Sequence, residues 1–111
     1  MMSRNALCFL LNAVPWVAQA QGAAVAPELW DRPRSALSVL GEAAVKQAVN
    51  GYLARPAARI VIHHGAAQES MLQAEELRSW LVALALEPQR VGLRGGLKAG
   101  AALRIEIVSA Q

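Results

Sequence analysis

Apolar residues in this chain recur first at helical and then at alternating intervals. Over residues 35–53, Leu37, Leu40, Ala44, Ala48 and Tyr52 fall three or four residues apart, flanked by Val45, Val49 and Leu53. This spacing predicts an amphipathic helix. The helix should fray near Asn50-Gly51 and end by Arg55, because Pro56 disfavours helical geometry in the residue before it and has no amide hydrogen to donate. Residues 58–63, Ala-Arg-Ile-Val-Ile-His, are β-branched and too few for a helix, and read as an inner strand with Ile60 and Ile62 on one face. Ser70 and Gln73 have the spacing of a capping box. The helix they would open carries Met71, Ala74, Leu77, Leu81 and Leu84 on one stripe, with Glu75, Arg78, Ser79 and Val82 elsewhere, and Pro88 should stop it.

Two further strands follow. Residues 90–94 point Val91 and Leu93 one way, and residues 103–108 put Leu103, Ile105 and Ile107 on one face with Arg104 and Glu106 on the other. Gly95-Gly96 and Gly100 mark the turn between them. Strand, helix and strand in the middle of the chain predict a right-handed parallel crossover. The expected fold class is α/β, with two helices packed on one face of a small mixed sheet in the order βαβαββ.

The first twenty residues follow a different rule. Arg4 precedes the apolar run 6–14, and Ala18-Gln19-Ala20 supplies small side chains at the positions a signal peptidase reads. This is the pattern of a secretory signal peptide cleaved between Ala20 and Gln21. A bilayer-spanning helix needs about 20 apolar residues, and Asn12 and Pro15 interrupt this run, so no transmembrane anchor is expected after cleavage. The expected organisation is a signal peptide at 1–20, a flexible Ala-rich tether at 21–28 and a single domain at 29–109. The expected location is the periplasm.

Composition narrows the chemistry. The one cysteine, Cys8, lies inside the signal segment with Leu7 before it, which does not fit a lipoprotein signal, so the mature chain would have neither a disulfide nor a thiolate. Without Arg4, ten basic and eight acidic side chains remain, a net charge of +2, with the basic residues spread singly. That argues against nucleic acid as a partner. His63 and His64 are adjacent, and successive strand side chains point to opposite faces, so the two rings do not converge on one ion. They read as a polar pair at a strand end. Arg78 reads as a solvated helix residue paired with Glu75. Trp80 is expected against the sheet, and Trp30 over its edge. There is no nucleophile elbow or phosphate loop, and Gly92-x-x-Gly95-Gly96 opens no helix. Adjacent Glu75 and Glu76 sit about 100° apart round a helix and form no acid/base pair. The chain therefore reads as a non-enzyme with no cofactor and no metal site.

Several motifs, taken in order, resemble a known family. Trp30-Asp31, Ser35-x-Leu37 and Leu37-x-x-x-Gly41-x-Ala43-Ala44-Val45 are similar to the opening of OmpA-like peptidoglycan-binding domains. Ile60-Val61-Ile62-His63-His64 resembles that family's apolar strand before a Gly-His-Thr-Asp turn. Ala74 with Trp80-Leu81 resembles its Arg-Ala motif and the following Tyr-Leu, and Arg104-Ile105-Glu106-Ile107 resembles its closing strand. The resemblance spans nearly all of residues 29–108 and implies a periplasmic domain that binds the diaminopimelate end of peptidoglycan. It also implies an aspartate after the second strand and an arginine before the alanine of the second helix. This chain has Gly65-Ala66-Ala67-Gln68 in the first place and Gln73 in the second. Its connection from Ile62 to Ala74 is shorter than the family's, and its later loop is reduced to residues 95–102. The expectation is weak peptidoglycan binding at most, with His64, Arg78 and Arg94 as the candidate ligand-binding residues. The alternative is an accessory interaction module of a secretion or surface system, with an envelope protein as its partner.

Overall fold

The computed structural model describes residues 22–109. The expected signal peptide, its cleavage site and Cys8 lie outside the described residues. The chain runs through β1 (Ala23–Ala24), a 3-10 turn (Pro27–Asp31), α1 (Ala36–Leu40), α2 (Ala43–Ala54), β2 (Ala58–Gly65) and α3 (Gln68–Ala83). A second 3-10 turn (Pro88–Arg90), β3 (Val91–Leu97) and β4 (Arg104–Ser109) complete it. The four strands form one mixed sheet in the order β1-β4-β2-β3. β2 and β3 are parallel, with Ile60 opposite Val91 and Ile62 opposite Leu93, as the strand-helix-strand pattern requires. β4 runs antiparallel to β2, with Ile60 opposite Ile107 and Ile62 opposite Ile105. The fold is thus α/β, with helices packed on a small mixed sheet.

Strand alternation decides which face the helices cover. Ala58, Ile60 and Ile62 are buried while Arg59 is exposed, so β2 turns its apolar set toward one side. Ile60 and Ile62 meet Val45, Ala48, Ala74, Leu77, Leu81 and Ile105 in a single core. Its seven largest fully buried side chains are Ile, Leu or Val. Truncating any of the larger ones to alanine removes packing worth about 2–5 kcal/mol.

The structure departs from the sequence expectations at the element ends. The stretch expected to be a tether instead contributes β1: Ala23 lies opposite Ile105 and Ala24 opposite Arg104. Val25, just beyond it, is buried and donates its amide hydrogen to the Leu103 carbonyl at 2.8 Å. A two-residue strand is too short to show a period, and the neighbour that fixes it lies about eighty residues along the chain. Gly22 makes the approach possible. Its φ is +85°, and a Cβ there would lie 2.2 Å from the Ile105 carbonyl oxygen.

The helix expected over residues 35–53 is two helices. Glu42 is extended (φ −71°, ψ 129°) and caps α2. Its carboxylate accepts the amide hydrogens of Ala44 at 3.5 Å and Ala26 at 3.1 Å, so the break also ties the β1 segment to the helical layer. The break shifts the helical phase. Val39 is buried, and Leu37, expected on the buried stripe, is 85% exposed. A reciprocal capping box, Ser35 with Ser38, opens α1. α2 does not fray at Gly51 but continues to Ala54, because the missing side chain lets it sit against β4; a Cβ at Gly51 would lie 3.1 Å from the Ile107 side chain.

α3 begins at Gln68 rather than Ser70, and the expected Ser70–Gln73 capping box is absent. Ser70 Oγ instead accepts the Gly65 amide hydrogen at 2.8 Å. Met71 is 42% exposed, so only Ala74, Leu77 and Leu81 of the expected stripe are buried. The helix also ends before Pro88 acts. Ala85 has φ +85°, the Ala85 amide donates to Val82 O at 3.0 Å, and the Leu86 amide donates to Leu81 O at 3.1 Å. Those paired bonds are a Schellman motif with alanine in the left-handed position.

Candidate functional site

A cleft of about 540 Å³ lies at the C-terminal end of β2. The turn from β2 into α3 (Gly65, Ala66, Ala67) forms its floor, and Trp30 and Asp31 of the first 3-10 turn form one wall. The connection from β3 to β4, residues 99–103, closes the other side. Crevices outside the carboxyl ends of strands are where open α/β sheets place ligands. Both positions that the family resemblance singles out, the turn after the second strand and Gln73, line this cleft.

Its chemistry is not that of a carboxylate site. The polar side chains lining it are Asp31, Glu69, Ser70 and Gln73, together with the indole of Trp30, and no Lys, Arg or His lines it. Ser70 Oγ is already engaged by the Gly65 amide. The N-cap of α3, Ala67, has no side chain that can accept a hydrogen bond, so the amides of the first turn favour negative charge at the cleft floor. The carboxylates of Asp31 and Glu69 oppose it.

The three candidate ligand-binding residues are not brought together, and none of them lines the cleft. His64 is half-buried at the end of β2, where its Nδ1 donates to the Gly65 carbonyl at 2.8 Å and its ring approaches Gly95. A bulge falls here, since β2 advances from His63 to Gly65 while β3 advances from Arg94 to Leu97. Arg78 does not pair with Glu75. Its Nε donates to the Val91 carbonyl and its Nη2 to the Pro88 carbonyl, both at 2.8 Å, which staples α3 to the start of β3. Glu75 is exposed on the same helix, where an ion pair is worth only about 0.2–0.5 kcal/mol, whereas the two carbonyls tie the guanidinium to another part of the fold. Arg94 is exposed on the opposite face of the sheet, beside His63 in the neighbouring strand.

Sequence reading missed the polar groups that do assemble. Arg34 grips Glu76 as a fork, Nε to Oε2 at 2.8 Å and Nη2 to Oε1 at 3.1 Å, and Trp80 Nε1 donates to the same carboxylate at 3.2 Å. The Arg34 guanidinium also donates to the Trp30 and Arg32 carbonyls and lies 5.2 Å from the Trp30 ring. These bonds hold the Glu76 carboxyl below the ordinary glutamate range and raise Arg34 above its own. At the other end, Arg90 donates to the Ala58 and Arg55 carbonyls and lies over the Tyr52 ring at 4.0 Å, while Tyr52 Oη accepts the Glu87 amide. His63 Nε2 meets Glu106 Oε1 at 2.8 Å across β2 and β4. Alternation on β4 was the one available signal for this pair, and it does not say which strand lies alongside. Among the described residues no three His, Cys, Asp or Glu side chains gather as metal ligands, and no helix is long and apolar enough to cross a membrane.

Comparison with protein-family models, with curated proteins and with solved structures returned no match.

Proposed function

We propose that the chain is an exported, periplasmic, non-enzymatic protein of the cell envelope that carries a degenerate OmpA-like domain and binds peptidoglycan weakly at most. The observation that carries this reading is the cleft: it lies at the two positions where the resemblance puts the ligand, and no cation lines it. A stem-peptide carboxylate needs a bidentate, well-aimed arginine or an equivalent set of donors. Asp31 and Glu69 would repel it instead. The described elements run βααβαββ, the expected order with its first helix split at Glu42, and this supports the same reading.

Co-sedimentation of the purified protein with peptidoglycan sacculi tests it. The expected result is marginal binding at low salt that vanishes near about 0.5 M, where electrostatic attraction is screened within a few ångströms. Placing an arginine in the cleft by Gln73→Arg, together with Ala66→Asp in the turn, should create salt-resistant binding. Strong, salt-insensitive binding by the unmodified protein would refute the proposal. Export is tested separately, by N-terminal sequencing of the protein from a periplasmic fraction, where Gln21 is the expected first residue. A second reading, an interaction module for another envelope protein, is favoured by one observation: among the described residues no element covers the other face of the sheet.

A further inference from the structure

We infer that docking of β1 gates removal of the signal peptide, so that the bond between Ala20 and Gln21 is cut only while β1 is off the sheet. The gate rests on the export reading above and adds an order of events to it. A flexible tether at residues 21–28 would let a peptidase work on the finished domain. The structure leaves no such tether, because the chain is engaged from Gly22 onward. Covalent geometry alone puts the scissile bond within about 5 Å of the Gly22 Cα.

Every residue from 22 to 26 is tied down. The Gly22 carbonyl accepts from Arg104, and Ile105 and Glu106 stand so close to its Cα that no side chain would fit. Ala23 and Ala24 pair with β4. Val25 is buried with its amide on the Leu103 carbonyl at 2.8 Å, and the Ala26 amide donates to Glu42 at 3.1 Å. A protease takes its substrate as an extended strand, held by main-chain hydrogen bonds on both sides of the scissile bond. Gly22, the second residue after the bond, is fixed at φ +85° and is not extended. One edge of Ala23 and Ala24 is already occupied by β4. Backbone held in this way is cut only after it opens locally.

The topology sets when the gate closes. β1 docks on β4, the last strand in the described chain, and the contacts that hold it come from Leu103, Arg104, Ile105 and Glu42. A chain that crosses a membrane from its N-terminus presents the cleavage site first and β4 last. β1 therefore has no sheet edge to join until nearly the whole domain has crossed, and the site stays open for that interval. A chain that folds before export closes the site on itself.

The test is cleavage of the refolded full-length chain by purified signal peptidase in detergent micelles, with hydrogen exchange of the Val25 amide reporting whether β1 is docked. A peptide of residues 2–30 supplies the ungated rate. The expected result is cleavage after Ala20 about tenfold or more slower in the folded chain than in the peptide, because the rate follows the small open population. Six Gly and Ser residues inserted between Gln21 and Gly22 add about 12–15 Å of slack and leave β1 in place. The insertion should bring the rate within about threefold of the peptide's while Val25 stays protected. Gly22→Val, which lifts β1, should also speed cleavage, and the insertion keeps the test decisive if that variant does not fold. Equal rates for the folded chain and the peptide, no gain from the insertion, or Val25 exchanging as fast as in the peptide would overturn the inference. A peptide that is not cut after Ala20 would overturn the export reading and the gate with it, whereas a cut peptide with an ungated folded chain would overturn the gate alone.

Discussion

Ala85→Gly should make this protein more stable, which few changes to glycine do. The end of α3 turns on Ala85, whose φ of +85° lies in the left-handed region. An L-residue is held there at a cost of about 1–2 kcal/mol, because its Cβ crowds the following carbonyl. The bonds that hold it are the Leu86 amide to Leu81 O and the Ala85 amide to Val82 O, and they are anchored by the burial of both Leu81 and Leu86 in the core. Glycine would relieve the crowding without touching either bond. Against that gain, glycine has more freedom to lose on folding, worth about 0.5–1 kcal/mol. The net expectation is a stabilisation of about 0.5–1 kcal/mol, or a rise in Tm of roughly 2–8 °C for a domain of this size. Thermal and urea unfolding followed by circular dichroism would measure it. Lys46→Gly, at an exposed position inside α2, is the matched control and should cost about 0.5–1 kcal/mol. If the two variants were destabilised alike, residue 85 would be helical in solution, and the chain would run on toward Pro88 as its sequence suggests.

Leu81→Ala should cost about 2–5 kcal/mol in urea unfolding and Leu72→Ala, 56% exposed on the same helix, less than about 1, so equal costs would mean that the faces of α3 are reversed. Gly22→Val should lift β1 from β4, because a Cβ at residue 22 meets the Ile105 carbonyl; the Val25 amide would then lose its protection from hydrogen exchange, and unchanged protection would refute the close approach. Since the Glu76 carboxyl is held below its ordinary value in the folded state, the Arg34 clasp stabilises above the unfolded glutamate value of about 4.3 and is lost as pH falls through the lower folded value. Glu76→Gln should therefore lower Tm near neutral pH and flatten its decline below about pH 5, and a decline as steep as in the parent protein would show that the clasp does not form.

The inner parts of the fold were legible because period and burial coincide there. Ile60 and Ile62, Ala74 with Leu77 and Leu81, and Ile105 show the period of their element and are buried on the expected face. The misread parts are those where a distant partner decides. Gly22 through Val25 carries almost no pattern of its own and becomes a strand because β4 offers an unpaired edge. Leu37 keeps the right interval from Leu40 and Ala44, but Glu42 breaks the helix and changes the phase. At the cleft, the end of β2 and the start of α3 were legible from the strand and helix patterns, and the walls contributed by Trp30, Asp31 and residues 99–103 were not, because only the tertiary fold brings them to the end of β2.

The same logic explains why a chain with ten arginines and lysines after residue 20 places none of them in its cleft. A domain of this size buries only about 60–70% of the surface of its unfolded chain, and its described residues include no cysteine that could add a disulfide. Loose ends must be tied by other means. Arg34, Arg78, Arg90 and Arg104 each donate to backbone carbonyls of a different element, closing the first 3-10 turn, the entry to β3, the base of β2 and the docking of β1. A guanidinium suits this task because its planar fork satisfies two carbonyls at once and never loses its charge. Re-aiming any of these four toward a ligand would open the joint it closes. A carboxylate site in this cleft therefore requires a new cation, and Gln73 is the lining position where the resemblance places one.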